Sequence, residues 1–349
     1  MKKKIFVFIS LFAVLGCVFA QDNADKDAAS DLSIVQTIDF SALAHKTDDE
    51  NAPIVYYTKD ISAAGMLRLY EKLGWTPVGK TGVKISTGEP PASNYLRPAL
   101  LKDTVQKVNG TIVECNTAYG GSRASNAMHK QVVKDHGFLD IAPFDLLDEK
   151  GSVAIPVAGA KHLVKGDFVG KNFKNYKSYL VISHFKGHAM GGFGGAIKNL
   201  SIGFGSGTST KDSGKLYIHS GGTKTKAPIS WSIEGDYHLG FLESMAEAAK
   251  GVCQYMNGGK NIAFINVMNR LSVDCDCNGN PDEPDMHDLG IVASLDPLAI
   301  DQACVDMVYS AADSGKLRER IETRRGLHTL DYAAEIGLGN RNYRLVEVE

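Results

Sequence analysis

The hydrophobic positions of this chain fall into short runs of β-branched and aromatic residues that alternate with longer segments of helical period. IVYYTK (54 to 59) precedes SAAGMLRLYEKLG, VKIS (83 to 86) precedes YLRPALLKDTVQKV, and TIVEC (111 to 115) precedes ASNAMHKQVVKDHG. Later come SYLVIS (178 to 183), NIAFINV (261 to 267) and GIVAS (290 to 294), bordered by LGFLESMAEAAKGVCQYM and PLAIDQACVDMVYSAA. Strand and helix in alternation predict an α/β fold with a largely parallel sheet and helices on both faces. In ASLDPLAID, Asp296 stands as an N-cap and Pro297 as the first helical residue, a structural role that needs no functional explanation.

In open parallel sheets, ligands gather at the carboxyl ends of the strands. Polar, glycine-rich loops follow strands there: ISTGEPPASNYLRP, ECNTAYGGSRASNAMH, ISHFKGHAMGGFGGAIKN and VDCDCNGNPDEPD. We expect these loops to form one cleft. The third loop concentrates Gly191, Gly192, Gly194 and Gly195 between a strand and a helix start. Glycine loses more backbone entropy on folding than any other residue, so the cluster implies a backbone that approaches a bound group or offers amide donors to an anion. A tight crossover is the structural alternative. The spacing matches neither the phosphate loop nor the dinucleotide fingerprint.

The same loop carries His184 and His188, as metal ligands or acid/base groups, with structural histidines as the alternative. Lys186 and Lys198 flank it, suited to neutralise an anion or, in a dry pocket, to act as bases, which makes them the candidate catalytic pair. Arg123 and Asn199 join the glycines as candidate ligand-binding residues; Arg97 offers a second guanidinium fork. Cys275 and Cys277 can reach one soft metal from a loop, with Asp282, Glu283 and Asp285 as hard oxygens nearby. A solvated acidic turn, a redox pair and chance cysteines are the competing readings, and a disulfide across one intervening residue is uncommon.

Composition narrows the class. The chain has 349 residues, 44% hydrophobic and 22% charged, enough for one large core or two modest ones. A net charge of -2 gives no basic footprint, so nucleic acid is set aside as a partner. Lys2, Lys3 and Lys4 precede IFVFISLFAVLGCVFA, a run too short for a comfortable span, which reads as an export signal over residues 1–20. Cleavage falls either after Ala20 or before Cys17, and only the second route would tether the protein to a membrane, through lipid on Cys17. The protein is expected in the periplasm or at the cell surface. Residues 21–50 read as a flexible linker, with the domain over residues 51–349 starting near Pro53. Outside the signal stand Cys115, Cys253, Cys275, Cys277 and Cys304, too few for a disulfide framework.

Several segments together resemble the family called domain of unknown function 362. They are GEPPASNYLRP, ECNTAYGGSR followed by His129 and HGF, SHFKGHAMGGFGGAIKNLSIG, GKLYIHS, CDC followed by PD, DLGIVASLDPLAIDQACVD, and IGLGNRNYRL. Many members of that family carry a ferredoxin-like insertion with cysteine motifs for iron–sulfur clusters after the segment corresponding to GKLYIHS. Here the chain runs from His219 to Phe241 without a cysteine, so the resemblance does not extend to built-in 4Fe-4S centres. It is also loosely similar to nickel-dependent lactate racemases in one loop. The resulting expectation is an exported enzyme or cofactor protein. It would use a transition metal or metal cluster at His184, His188, Cys275 and Cys277 and act on a small anionic ligand. The alternative is a small-anion-binding protein without catalysis.

Overall fold

The computed structural model describes residues 35, 37–207, 212–284 and 286–349, all within one compact unit, Leu32–Glu349. The export signal, Cys17 and Asp285 lie outside the described residues. Among those described, no helix is long and apolar enough to cross a membrane.

The strand runs of the sequence build one eight-stranded sheet. In chain order its strands are β1 (Ile54–Thr58), β2 (Thr81–Lys84), β3 (Thr111–Glu114), β4 (Phe144–Leu146), β7 (Ser178–His184), β10 (Ile262–Met268), β11 (Gly290–Ser294) and β12 (Arg344–Glu347). Between β4 and β7 lies a separate antiparallel pair, β5 (Ser152–Ile155) and β6 (Asp167–Gly170); after β7 comes a small hairpin, β8 (Lys186–His188) with β9 (Gly192–Gly194). The sheet order is β12-β1-β11-β10-β7-β2-β3-β4. Only β11 runs against its neighbours, pairing antiparallel with both β1 and β10.

Side chains alternate across this sheet, and each face finds its own helices. Leu180, Ile182, Ala263, Ile265 and Val267 pack with α1 (Ala63–Lys72), α2 (Pro98–Lys107) and α3 (Asn126–Asp135) through Met66, Leu69, Leu101, Val105 and Val133. Tyr179, Val181, Ile262 and Phe264 face the other way, onto α4 (Ala196–Ser201), α6 (Gly235–Tyr255), α7 (Pro297–Ser310), α8 (Gly315–Thr323) and α9 (Gly326–Glu335). A short helix, α5 (Gly214–His219), adds a satellite core with Phe241, Leu242 and Met245 of α6. Burying each large apolar side chain contributes about 1.5–3 kcal/mol, so β7 and β10, buried on both faces, anchor the fold.

The fold begins earlier than Pro53. From Asp39 the segment assigned to a flexible linker is packed: Leu43 is buried, Thr47 N–H donates to Tyr343 O (2.9 Å), and His45 Nδ1 lies 3.0 Å from Asp306 Oδ1. Its few apolar residues are spaced without period, which is why the pattern hid it. The Asp296 cap is present, its carboxylate accepting from Leu298 and Ala299 N–H at 2.8 and 2.9 Å.

Candidate functional site

The strands β10, β7, β2 and β3 are neighbours with carboxyl ends on one edge of the sheet. The loops leaving those ends meet around a cavity of about 110 Å³. Space of that size holds about four water molecules at liquid density, which sets the scale of a small ligand.

Asp276, between the two cysteines, organises the centre of this site. Its buried carboxylate receives Lys186 Nζ at 2.8 Å and faces His184 Nδ1 at 2.8 Å. Burial works against its ionisation, but Lys186 and His184 outweigh that and hold it well below the usual carboxylate range. His184 Nε2 also meets a backbone oxygen, Asn269 O, at 2.6 Å. Both nitrogens of His184 therefore face protein oxygens, and neither is turned free toward the metal expected from sequence. Lys186 is likewise committed, as a counter-ion rather than a free base.

The glycine segment is a hairpin more than a cradle. Gly192 and Gly194 pair with His188 and Lys186 across β8 and β9, and only Gly194 and Gly195 reach the cavity. Gly191 N–H donates to His188 Nδ1 at 2.8 Å. The first amides of α4, Ala196 and Ile197, donate to buried Asp301 at 2.7 and 2.9 Å, so that helix end is closed to an anion. Asn266 Nδ2 reaches the same carboxylate at 2.7 Å, and burial raises Asp301 to a pKa of about 6. A Cβ on Gly195 would stand 2.2 Å from Asp301 Oδ1, which is the requirement for glycine there.

On the β2 and β3 side, the candidate Arg123 is fully engaged. Its Nε donates to Glu89 at 3.1 Å and its Nη1 to Glu114 at 3.0 Å. Glu114 is held well below the usual carboxylate range: burial opposes ionisation, and Arg123 leads the groups that overcome it, followed by His129 at 3.1 Å. Asn199 is committed as well, accepting from Lys84 Nζ (2.8 Å) and donating to Ile182 O (3.2 Å) and Ser183 Oγ (3.1 Å). Both residues line the cavity but act as its frame. Arg97 stays outside, 4.0 Å over the ring of Tyr95.

Some cavity residues were not legible as candidates. Lys84, Glu114, Asp276, Lys215 and His219 all line it or frame it. An ionisable residue at the end of a short apolar strand run, as in VKIS and TIVEC, was the available signal for the first two. Burial lowers Lys84 to a pKa of about 8, partly offset by Glu114. Burial also lowers Lys215, whose ammonium donates to Ile202 O and, at 2.8 Å, to Gly205 O. His219 Nδ1 faces Lys215 O at 2.7 Å and carries the proton, leaving Nε2 as an acceptor; burial brings this ring down to about 4. Trp231 packs edge-on against it with ring centres 5.0 Å apart.

Lys198 differs from its neighbours. Its Nζ has no hydrogen-bond or ion-pair partner among the described residues, and burial followed by repulsion from Lys186 brings its pKa down to about 7. His188, also buried, is pushed well below its usual value by burial and then by Lys198, so its ring is neutral. Because Nδ1 accepts from Gly191, the ring proton sits on Nε2. Cys115 is buried at the cavity edge, and burial raises its thiol pKa, so it is no nucleophile.

Cys275 and Cys277 are joined as a disulfide, against the expectation of two free thiolates. Donor atoms of His188, Cys275 and Cys277 lie within 4.8 Å of one another, the one such group among the described residues. In this state the sulfurs are bonded to each other and His188 Nδ1 is occupied. Asp282 and Glu283 point to solvent, as an acidic turn would.

Fold and site thus define an α/β protein with a small cationic cavity at the carboxyl edge of its sheet. The chain belongs to the family described as Domain of unknown function (DUF362), which matches residues 81–306. No curated protein matches it. Among solved structures it is similar to the lactate racemase apoprotein from Thermoanaerobacterium thermosaccharolyticum, at 18% identity over 62% of this chain and 50% of that one, with a TM-score of 0.37. It is also similar to a structural-genomics protein from Thermotoga maritima, at 11% identity over 73% and 58% of the two chains, with a TM-score of 0.38. The chain therefore spans 50% and 58% of the lengths of these structures, and scores this low carry no argument about chemistry.

Proposed function

We propose that the cavity binds a small carboxylate or phosphate anion and that Lys198 is the proton-transfer group of an enzyme acting on it. The observation that carries this is the balance of charge. Lys84, Arg123, Lys186, Lys198 and Lys215 face Glu114 and Asp276, with Glu89 behind Arg123, and Lys198 has no partner among the described residues. A cavity wall with more cationic than anionic side chains favours an anion, and His188 adds a neutral ring with its proton on Nε2. An amine brought near neutrality is suited to proton transfer at physiological pH.

Thermal denaturation with millimolar phosphate, acetate or pyruvate tests the binding. A rise in Tm of several degrees for at least one anion, lost in Lys198→Met, is expected; no shift with any of them removes the proposal. A second reading keeps the metal. Reduction of the disulfide would free two thiolates beside His188, a set of soft donors. Elemental analysis of the reduced, anaerobically handled protein decides it: near-stoichiometric metal lost in Cys277→Ser supports a metal site. Export remains a proposal resting on the N-terminal pattern, tested by fractionating cells that express the full chain.

A further inference from the structure

We propose that Lys198 forms a covalent imine with a small 2-oxo acid held in the cavity, a proposal that rests on the anion reading above. Lysines line this cavity on several sides, and all but one have acceptors. Lys84 donates to Ile85 O (2.7 Å) and Asn199, Lys186 to Asp276, and Lys215 to carbonyl oxygens. Lys198 alone among them has an amine with no acceptor among the described residues, and partial burial together with the positive charges of Lys186, Lys215 and Arg123 makes an ammonium there costly. The neutral amine avoids that cost, and its lone pair is then uncommitted.

The loop is shaped around this side chain. A Cβ on Gly194 would lie 2.9 Å from Lys198 Cδ, so the lysine stem runs close along the hairpin strand that lines the cavity. A ligand for an uncommitted amine inside a cationic wall needs an electrophilic carbon and a negative charge close together. A 2-oxo acid supplies both, and a short one suits a cavity of about 110 Å³. Phosphate would answer the charge but leave the lone pair without a use.

The chemistry balances without an external oxidant or reductant. The Lys198 nitrogen lone pair attacks the ligand's C2; the C–N bond forms as the carbonyl π pair moves to oxygen, which takes a proton from the attacking ammonium. The carbinolamine oxygen takes the second proton of the Lys198 nitrogen, relayed through water, and leaves as water while the nitrogen lone pair closes the C=N bond. His188 Nε2–H lines the same cavity as a hydrogen-bond donor for the carboxylate or the departing oxygen.

Incubation of the protein with pyruvate and cyanoborohydride at neutral pH, followed by intact-mass and peptide-mass analysis, tests this. One reduced carboxyethyl adduct per chain on Lys198, at least tenfold reduced in Lys198→Arg, is the expected result. Lactate, which has the charge but no carbonyl, serves as the companion probe in thermal denaturation. If pyruvate and lactate both raise the Tm and no adduct forms, the imine is wrong while the anion site stands. If neither raises the Tm and no adduct forms, both readings fail. Adducts scattered over surface lysines and unchanged in Lys198→Arg also overturn the imine. Lys198→Arg keeps a long basic side chain but one that stays charged, and its own melting curve shows whether it folds.

Discussion

At the scale of single residues, Asp276 and Lys198 are opposite cases of one electrostatic environment. Asp276 is a buried charge held by Lys186 and His184, and removing its charge leaves Lys186 uncompensated. We expect Asp276→Asn to cost about 3–5 kcal/mol in urea unfolding at pH 7, the range for breaking a buried ion pair from one side. Lys198 works the other way. Its folded pKa of about 7 lies below the unfolded value near 10.5, so the unfolded chain binds more protons between the two. Stability therefore rises with pH across that window. Lys198→Met is expected to stabilise the protein at pH 6 and to lose that advantage by pH 10, read as the difference in urea midpoint. A constant difference would show that the amine is not in the buried, cationic setting described here. Neither role was visible in the residue names, because both depend on which side chains another loop brings within 3 Å.

At the scale of elements, the hairpin β8–β9 and helix α4 are the informative pair. The glycines correctly marked a place where the backbone must come close to something. That partner is internal: Asp301 of α7 caps α4, and Gly195 gives it room. Asp301→Ala leaves two buried amides of α4 without acceptors and frees Asn266, so a loss of about 2–6 kcal/mol is expected from the two amides, at about 1–3 kcal/mol each. The anion-induced rise in Tm should shrink in the same variant, since α4 carries Lys198 and Asn199. If the rise persists at full size, α4 does not position the ligand. Asp301 lies one turn inside a helix whose N-cap is already Asp296, and only the tertiary contact gives it a second helix to cap.

At the scale of the whole molecule, the sheet order decides the site. Strands distant in the chain, such as β2 and β10, flank β7 in the sheet, and their loops meet although some 180 residues separate them. The N-terminal segment from Asp39 belongs to the same cooperative unit through Leu43, His45 and Thr47. A chain starting at residue 53 should therefore melt several degrees below one starting at residue 35, since Asp306 and Tyr343 lose partners. Equal melting temperatures would return the segment to the status of a linker.

The sequence by itself determined the element types, the parallel character of most of the sheet and the loops that gather at its edge. Those features follow from local hydrophobic period and from the rule that parallel sheets open toward their carboxyl ends. It also pointed to His184, Lys186, His188 and Lys198, because unusual residues crowd one short loop. Only the tertiary structure decided what each of them does. It paired Lys186 and His184 with Asp276, closed the cysteines on each other, engaged Arg123 with two carboxylates and left Lys198 without a partner among the described residues. Those outcomes depend on partners supplied by other loops and on the water excluded around them, and neither is a property of a stretch of chain.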